Sequence, residues 1–286
     1  MSAGFITPAS LLNNNLFIII TNELYNSYRM KSHQQIPQLL LKRFSHNVIV
    51  HYEGFTNKEK FVYYLDIRTF VLSEEKTRNF GAIINYYNDD TENYLSTDVE
   101  GPFSAVVNKV FNRNFTADSL DESDITSIKR FVLYSMLRRD EVIKRIMTSS
   151  ISKVKKDLTI DDVIKSGIDS QSFFSNTIKI VRNKTNREFI VPYNCVTTII
   201  LSDGLYYFIP ISPETGIAIK KSDDKQSNDI KIEEIIISDT IMIDSINLAA
   251  FDAENKNKGL IISRSEEELT ILAKKIGKQI IKKEIA

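Results

Sequence analysis

The chain holds three histidines, at positions 33, 46 and 51, and one cysteine, Cys195. An imidazole titrates near neutral pH and so can move protons in a reaction. His33 is the candidate general base, because it stands shortly before Pro37, where the chain enters the fold. Its competing role is a histidine hydrogen-bonded to backbone at a helix start. His46 and His51 lie an odd number of residues apart, so on one strand they face opposite sides and share no metal. A single cysteine leaves neither a disulfide framework nor a Cys-based zinc site, and no metal or cofactor is expected. Cys195 follows Asn194 in an apolar stretch and reads as a buried thiol. Glu100 and Arg138 fall on successive helical patterns. A carboxylate and a guanidinium placed so could flank His33 and hold a phosphate or carbonyl group; a salt bridge fixing helix packing is the commoner use of such a pair. Ser212, close between Pro210 and Pro213, reads as a rigid turn, and no G-x-S-x-G surrounds it. Asp203 with Asp229-Ile230-Lys231 mimics the acid…acid-x-Lys spacing of metal nucleases, a pattern that chance supplies readily in a chain this rich in Asp and Lys.

The elements that must position these groups follow from periodicity. Val48–Glu53 and Phe61–Asp66 read as a β-hairpin joined by Gly54-Phe55-Thr56-Asn57. From about residue 74 the pattern turns helical. Thr97-Asp98-Val99-Glu100 has capping-box spacing, and Phe103, Val106, Val107, Val110 and Phe111 follow at helical intervals. Asp121–Asp124 opens an acid-rich helix start, with Ile125, Ile128, Val132, Ile143 and Ile146 as its buried stripe and a break near Arg138. Thr159–Asp162 marks a third start. Beyond it the runs 189–191, 196–201, 206–210, 216–219 and 230–237 are short, β-branched and separated by turn residues. A short helix at about 240–250, a strand at Leu260–Ser263 and an amphipathic helix over 265–286, capped by Ser265, close the chain. The expected architecture is α+β: an N-terminal β-hairpin, a central helical layer, and a C-terminal antiparallel or mixed sheet with a final helix. A single domain over 1–286 is expected, with residues 1–31 as an N-terminal extension.

At 286 residues, 42% apolar and 26% charged, the chain can fill a core and still coat it, which excludes whole-chain disorder. Thirty-seven basic residues balance 37 acidic ones, so net charge gives no argument for nucleic acid or a membrane surface. No G-x-G-x-x-G or G-x-x-x-x-G-K-[ST] is present, which argues against a mononucleotide or dinucleotide cradle. The longest early apolar run, Leu16–Ile20, falls far short of the roughly 20 residues of a membrane helix. With no export signal and one free thiol, a cytoplasmic address without membrane contact is the expectation. Charge is nevertheless uneven: residues 85–124 carry nine acids and two bases, net −7, whereas 126–156 carry nine bases and two acids, net +7. Two neighbouring helices whose faces neutralise each other account for this most simply. A basic surface holding a phosphate backbone, with Arg139 and Arg145 beside Arg138, is the sharper alternative.

The stretch from His33 through Pro37 and Leu39-Leu40-Leu41 to Phe44 resembles the opening signature of domain-of-unknown-function family 4238. Phe61–Asp66, Arg78-Asn79-Phe80-Gly81 with Tyr86-Tyr87, Val99-Glu100, Leu137-Arg138-Arg139, Phe189–Val196, Pro210-Ile211-Ser212-Pro213 and Asn247 are similar to later family blocks in the same order, over about residues 30–265. Two departures stand out. The family's Ser-Asp-Asn-Pro reads Pro192-Tyr193-Asn194-Cys195, so its acid is lost, and its Arg-Thr-Pro keeps Arg138 but has Asp140 for the proline. The resemblance implies site residues His33, Glu100, Arg138 and Asn194, with Ser212 and Asn247 as ligand contacts; Arg139 and Arg145 join them as ligand contacts on the strength of the basic segment. It hints at a nuclease-like, nucleic-acid-processing role in bacterial defence or toxicity, with RNA or single-stranded DNA as ligand. The alternative is a non-catalytic protein-interaction or ligand-sensing module whose motifs preserve the fold and whose partner is another protein of a defence system.

Overall fold

The computed structural model describes residues 32–34, 36–52, 55–84, 89–137, 174–222, 229–255 and 259–282. Its elements in chain order are β1 (Ser32–Gln34), α1 (Gln38–Arg43), β2 (His46–Tyr52), β3 (Phe55–Asp66), β4 (Val71–Lys76), β5 (Ala82–Ile84) and α2 (Asp89–Tyr94). A π-helical turn (Leu95–Glu100) joins α2 to α3 (Gly101–Val110), and α4 (Glu122–Leu137) follows. The second half holds β6 (Phe174–Asn183), β7 (Val191–Pro192), β8 (Thr197–Leu201), β9 (Gly204–Ser212), β10 (Thr215–Lys221), β11 (Lys231–Ile237), α5 (Thr240–Asn255), β12 (Leu260–Ser263), α6 (Glu266–Lys275) and β13 (Ile281–Lys282). The protein is α+β, and both larger sheets are mixed. One runs β11-β6-β10-β9-β8, with only β11–β6 parallel; the other runs β13-β4-β3-β12-β7, with β2 also on β3 and only β13–β4 parallel.

Alternation along the strands decides what each face meets. Ile178, Ile180, Ile209, Ile211, Ile217 and Ile219 face the apolar stripes of α3 and α4, supplied by Phe103, Val106, Val107, Ile128, Phe131 and Val132. Phe103 and Phe131 stack at 3.8 Å between ring centroids, fixing the α3–α4 crossing. The opposite face of the same sheet sets Val181, Phe208 and Ile199 against Ile243 and Ile246 of α5. Leu65, Leu72 and Ile261 of the second sheet pack with Ala250 of α5 and with Leu269 and Leu272 of α6. Gly216 is required where β10 bulges, because a Cβ there would stand 2.1 Å from the Phe208 ring.

The structure revises several sequence expectations. Phe55–Asn57 are not turn but the start of β3, so the hairpin's connection is shorter than expected. The helical pattern expected from residue 74 begins only at Asp89, since Val71–Lys76 and Ala82–Ile84 are strands. Thr97 does not cap a helix: the chain is already helical from Asp89, and the Thr97 hydroxyl lies 2.8 Å from the Asn93 carbonyl inside the π turn. Phe111 is exposed just past α3 rather than on its buried stripe. The acid-rich start of α4 is built as expected, with Asp121 and Asp124 each accepting the other's backbone N–H at 2.9 Å. The final helix is shorter than 265–286. Ser265 caps Glu267 N–H at 3.2 Å, but α6 ends at Lys275, Gly277 turns the chain at φ +71°, and Ile281–Lys282 pair with β4. The N-terminal extension over 1–31, the start at 159–162 and the stripe residues Ile143 and Ile146 lie outside the described residues.

Candidate functional site

The segment Arg187–Val196 runs along α5 and joins it by a series of polar contacts. Arg187 forks onto Glu268 of α6 (Nε to Oε1 3.0 Å, Nη2 to Oε2 2.9 Å) and also reaches Asp244 of α5. Asp244 also meets Lys275 at 2.7 Å. Burial opposes the Arg187 charge, yet the two carboxylates hold its pKa above the usual value. Asn247, 2% exposed, accepts the Ile190 N–H at 3.2 Å and donates to the Glu188 carbonyl at 2.9 Å. Seven residues on, two helical turns along the same face, the fully buried Glu254 accepts the Asn194 N–H at 3.1 Å. Asn194 and Asn247 are therefore brought onto one helix, at opposite ends of the docked segment.

The turn at 193–195 is the most irregular point of this segment. Cys195 has φ +65°, a left-handed conformation that a residue with a Cβ adopts at a cost. Its N–H donates to the Pro192 carbonyl at 2.8 Å, and the Asn194 side-chain oxygen accepts the Val196 N–H at 3.0 Å. The Asn194 Nδ2 is buried without an acceptor. A proline, which the resemblance would place at 195, has φ fixed near −65° and no N–H, so this turn could not form around it. The Tyr193 ring, standing where the family's acid would be, covers Gly81 (φ +66°); a Cβ there would lie 3.2 Å from the Tyr193 hydroxyl oxygen.

The N-terminal block meets the same segment. Ile36, Leu40, Leu41 and Phe44 close around Val191 and Ile262, and the apolar space between them has no room for a water-sized group. This is core rather than a cleft. His33 lies on β1 opposite Ile83 of β5, two residues after Gly81. Pro213, from the Pro-Ile-Ser-Pro block, accepts the Phe189 N–H at 2.9 Å. Ser212 is 5% exposed, and its hydroxyl accepts the Glu214 N–H at 3.2 Å, as a turn residue does. Glu100 is half-buried where the π turn enters α3, in the helical layer. Arg138, Arg139 and Arg145 lie outside the described residues.

A second polar cluster lies on the α5-facing side of the first sheet. The Lys179 side chain, 7% exposed, joins Asp203 at 2.8 Å and Glu233 at 3.3 Å, while Glu233 also meets Lys231 at 2.7 Å. The Tyr206 hydroxyl donates to Asp203 at 2.7 Å. Burial alone would raise the Asp203 pKa, but the Lys179 and Tyr206 hydrogen bonds bring it down to about 2. Burial, then Asp203, pushes the Tyr206 hydroxyl up. Asp203 and Lys231 of the nuclease-like spacing thus do share a surface, but the carboxylate that Lys179 joins to Asp203 is Glu233 and not the Asp229 of that spacing. No cluster of three or more metal-ligating side chains occurs among the described residues. The basic segment is described only through Lys129 and Arg130. Lys129 is buried against Asn176, 2.7 Å from its Oδ1, and burial lowers its pKa, so it does not belong to a phosphate-facing surface.

His46 pairs through Nε2 with Glu74 and stacks on Tyr63 at 4.4 Å, while its Nδ1 is buried without a hydrogen-bond partner. Sequence reasoning missed Arg187, Lys179 and Glu254. The seven-residue spacing from Asn247 is the one signal that could have flagged Glu254. No helix among the described residues is long and apolar enough to cross a membrane.

No curated protein and no solved structure gives a significant match to the chain. The blocks at 189–196, 210–213 and 247 lie beyond the family match, which covers His33, Glu100, Arg138, Arg139 and Arg145. Residues 33–163 match the sequence model of the family described as protein of unknown function (DUF4238), the family that the His33–Phe44 block resembles.

Proposed function

We propose that the chain is a non-catalytic module that senses a ligand or docks a partner protein, within a cytoplasmic bacterial defence or toxin system. One observation carries the non-catalytic part: Asn194, Ser212 and Asn247 direct side-chain oxygens at the protein's own main chain, and Asn247 commits both ends of its amide there. A group that must turn to a substrate cannot at the same time satisfy a buried backbone N–H without leaving it unpaired. The setting rests on the family resemblance alone.

A nuclease-like reading is the competitor, and a specific feature favours it. Asn194 Nδ2 has no acceptor beside a strained Cys195, and the strand carrying His33 pairs two residues from the glycine under Tyr193. Strain and open donors gather at reactive sites. Incubating the full chain with fluorescent single-stranded RNA and DNA, with magnesium or manganese, separates the two. The module reading expects no cleavage above buffer and identical traces for His33→Ala. Cleavage by the wild type that His33→Ala abolishes would overturn it. Binding that falls steeply with salt and weakens in Arg138→Ala/Arg139→Ala would also favour the nucleic-acid reading.

A further inference from the structure

Strand β3 is joined to β4 only from Phe61 onward and to β12 only from Tyr63 onward. Ahead of that point β2 is the one strand it pairs with, apart from the Lys60 carbonyl, which accepts the Thr77 N–H at 2.9 Å, so β2 and residues 55–59 form a two-stranded ribbon extending from the sheet. Such a ribbon is marginal in water by itself. Its two long edges differ. The β3 edge carries Lys58, Glu59 and Lys60, the charges that keep a strand edge from pairing. The β2 edge reads His46-Asn47-Val48-Ile49-Val50-His51-Tyr52, with no Asp, Glu, Lys, Arg or Pro, and Ile49 is 63% exposed. Among the described residues, β3 is the one strand paired with it.

We propose that the β2 edge pairs with β2 of a second copy of this chain, antiparallel, about a two-fold axis through Ile49. The occupant is argued from the strand's own pattern. Ile49 is the midpoint of the seven residues, so a two-fold there pairs the whole strand. It sets Ile49 beside the second copy's Ile49 and each Val48 opposite the second copy's Val50. Asn47 then faces the second copy's His51. Antiparallel pairing of this kind matches odd with odd positions, so the faces of the two ribbons coincide. No fixed charge meets its like along the edge, as it would if the β3 edges met. The result is a four-stranded ribbon in place of two marginal two-stranded ones. A contact this small belongs to the weak, isologous class of interface.

Sedimentation velocity on the full chain, from about 1 to about 200 µM, brackets the micromolar affinity of small interfaces. The wild type shifts from monomer to dimer across that range, and Ile49→Lys stays monomeric while keeping the wild-type melting curve. Ile49→Val retains the dimer. Register is read separately by mild oxidation: Ile49→Cys crosslinks to itself across the two-fold, and Asn47→Cys, which faces the second copy's His51, does so far less. A wild type that remains monomeric at the top concentration overturns the proposal. So does an Ile49→Lys protein that still dimerises, or equal crosslinking at both positions.

Discussion

Strand β6 carries one polar cluster and leads into the other, and the two use charge in opposite ways. Past its end, Arg187 is enclosed by Asp244 and Glu268, whose side chains are 12% and 5% exposed. In the strand, Lys179 is buried, but its partners Asp203 and Glu233 each stand 37% exposed at the rim. Removing one member of the first set strands a charge inside the protein. Removing Lys179 leaves two carboxylates that water can reach. Enclosure, not the number of ion pairs, therefore separates a structural clamp from a solvated network.

The contrast breaks most visibly at Arg187. Arg187→Met should cost about 3–5 kcal/mol, because Glu268 is then left buried and unpaired. A fall in the urea midpoint with an unchanged slope checks this. A loss comparable to that of an exposed pair would mean that α6 opens readily and the clamp is no clamp. Asn247→Ala should follow at about 2–3 kcal/mol, since a buried N–H and a half-buried carbonyl both lose their partner. Native-state hydrogen exchange at Ile190 would localise the damage: its amide should open far sooner in the variant.

Cys195 refines the comparison within the clamp itself. Cys195→Pro restores the residue that the resemblance would place there, yet it should destabilise by about 2 kcal/mol. The ring cannot reach φ +65°, and the bond to the Pro192 carbonyl loses its donor. Thermal unfolding of the variant supplies the test; a stabilised protein would show that the turn simply adopts another form.

What could be read from sequence divides along the same line. The apolar stripes of α3 from Phe103 to Val110 and of α4 from Ile125 to Val132, the strands β8 to β12 and the Ser265 cap follow from local periodicity, and they stand where it places them. Strand β6 was illegible because Asn176, Lys179 and Arg182 interrupt its apolar run. Their partners lie far along the chain: Lys129 for Asn176, Asp203 for Lys179, and the Val110 carbonyl for Arg182. A central strand can hold such residues only when remote groups satisfy them, and no local pattern reports that. The family-like blocks were visible as motifs, but their meeting around 189–196 was not. Ile36, Phe44, Gly81, Pro213 and Asn247 converge there through tertiary packing.

The smallest effect belongs to the open cluster and depends on pH. The Asp203 carboxyl titrates near 2 in the folded protein, against an ordinary value of 3.8. A carboxylate with a lowered folded pKa contributes stability that is fully present above its unfolded pKa and is lost as pH falls through the folded one. The Asp203–Lys179 contribution should accordingly be constant above about pH 4 and fade between about pH 4 and pH 2. Because Asp203 is more than a third exposed, screening holds its size to less than about 1 kcal/mol. Lys179→Met should then unfold slightly earlier than wild type in urea at pH 7, with the gap narrowing as the pH is taken down through that window. A gap as large as that of Arg187→Met, or one that persists at pH 2, would place Lys179 with the enclosed charges and dissolve the distinction between the two clusters.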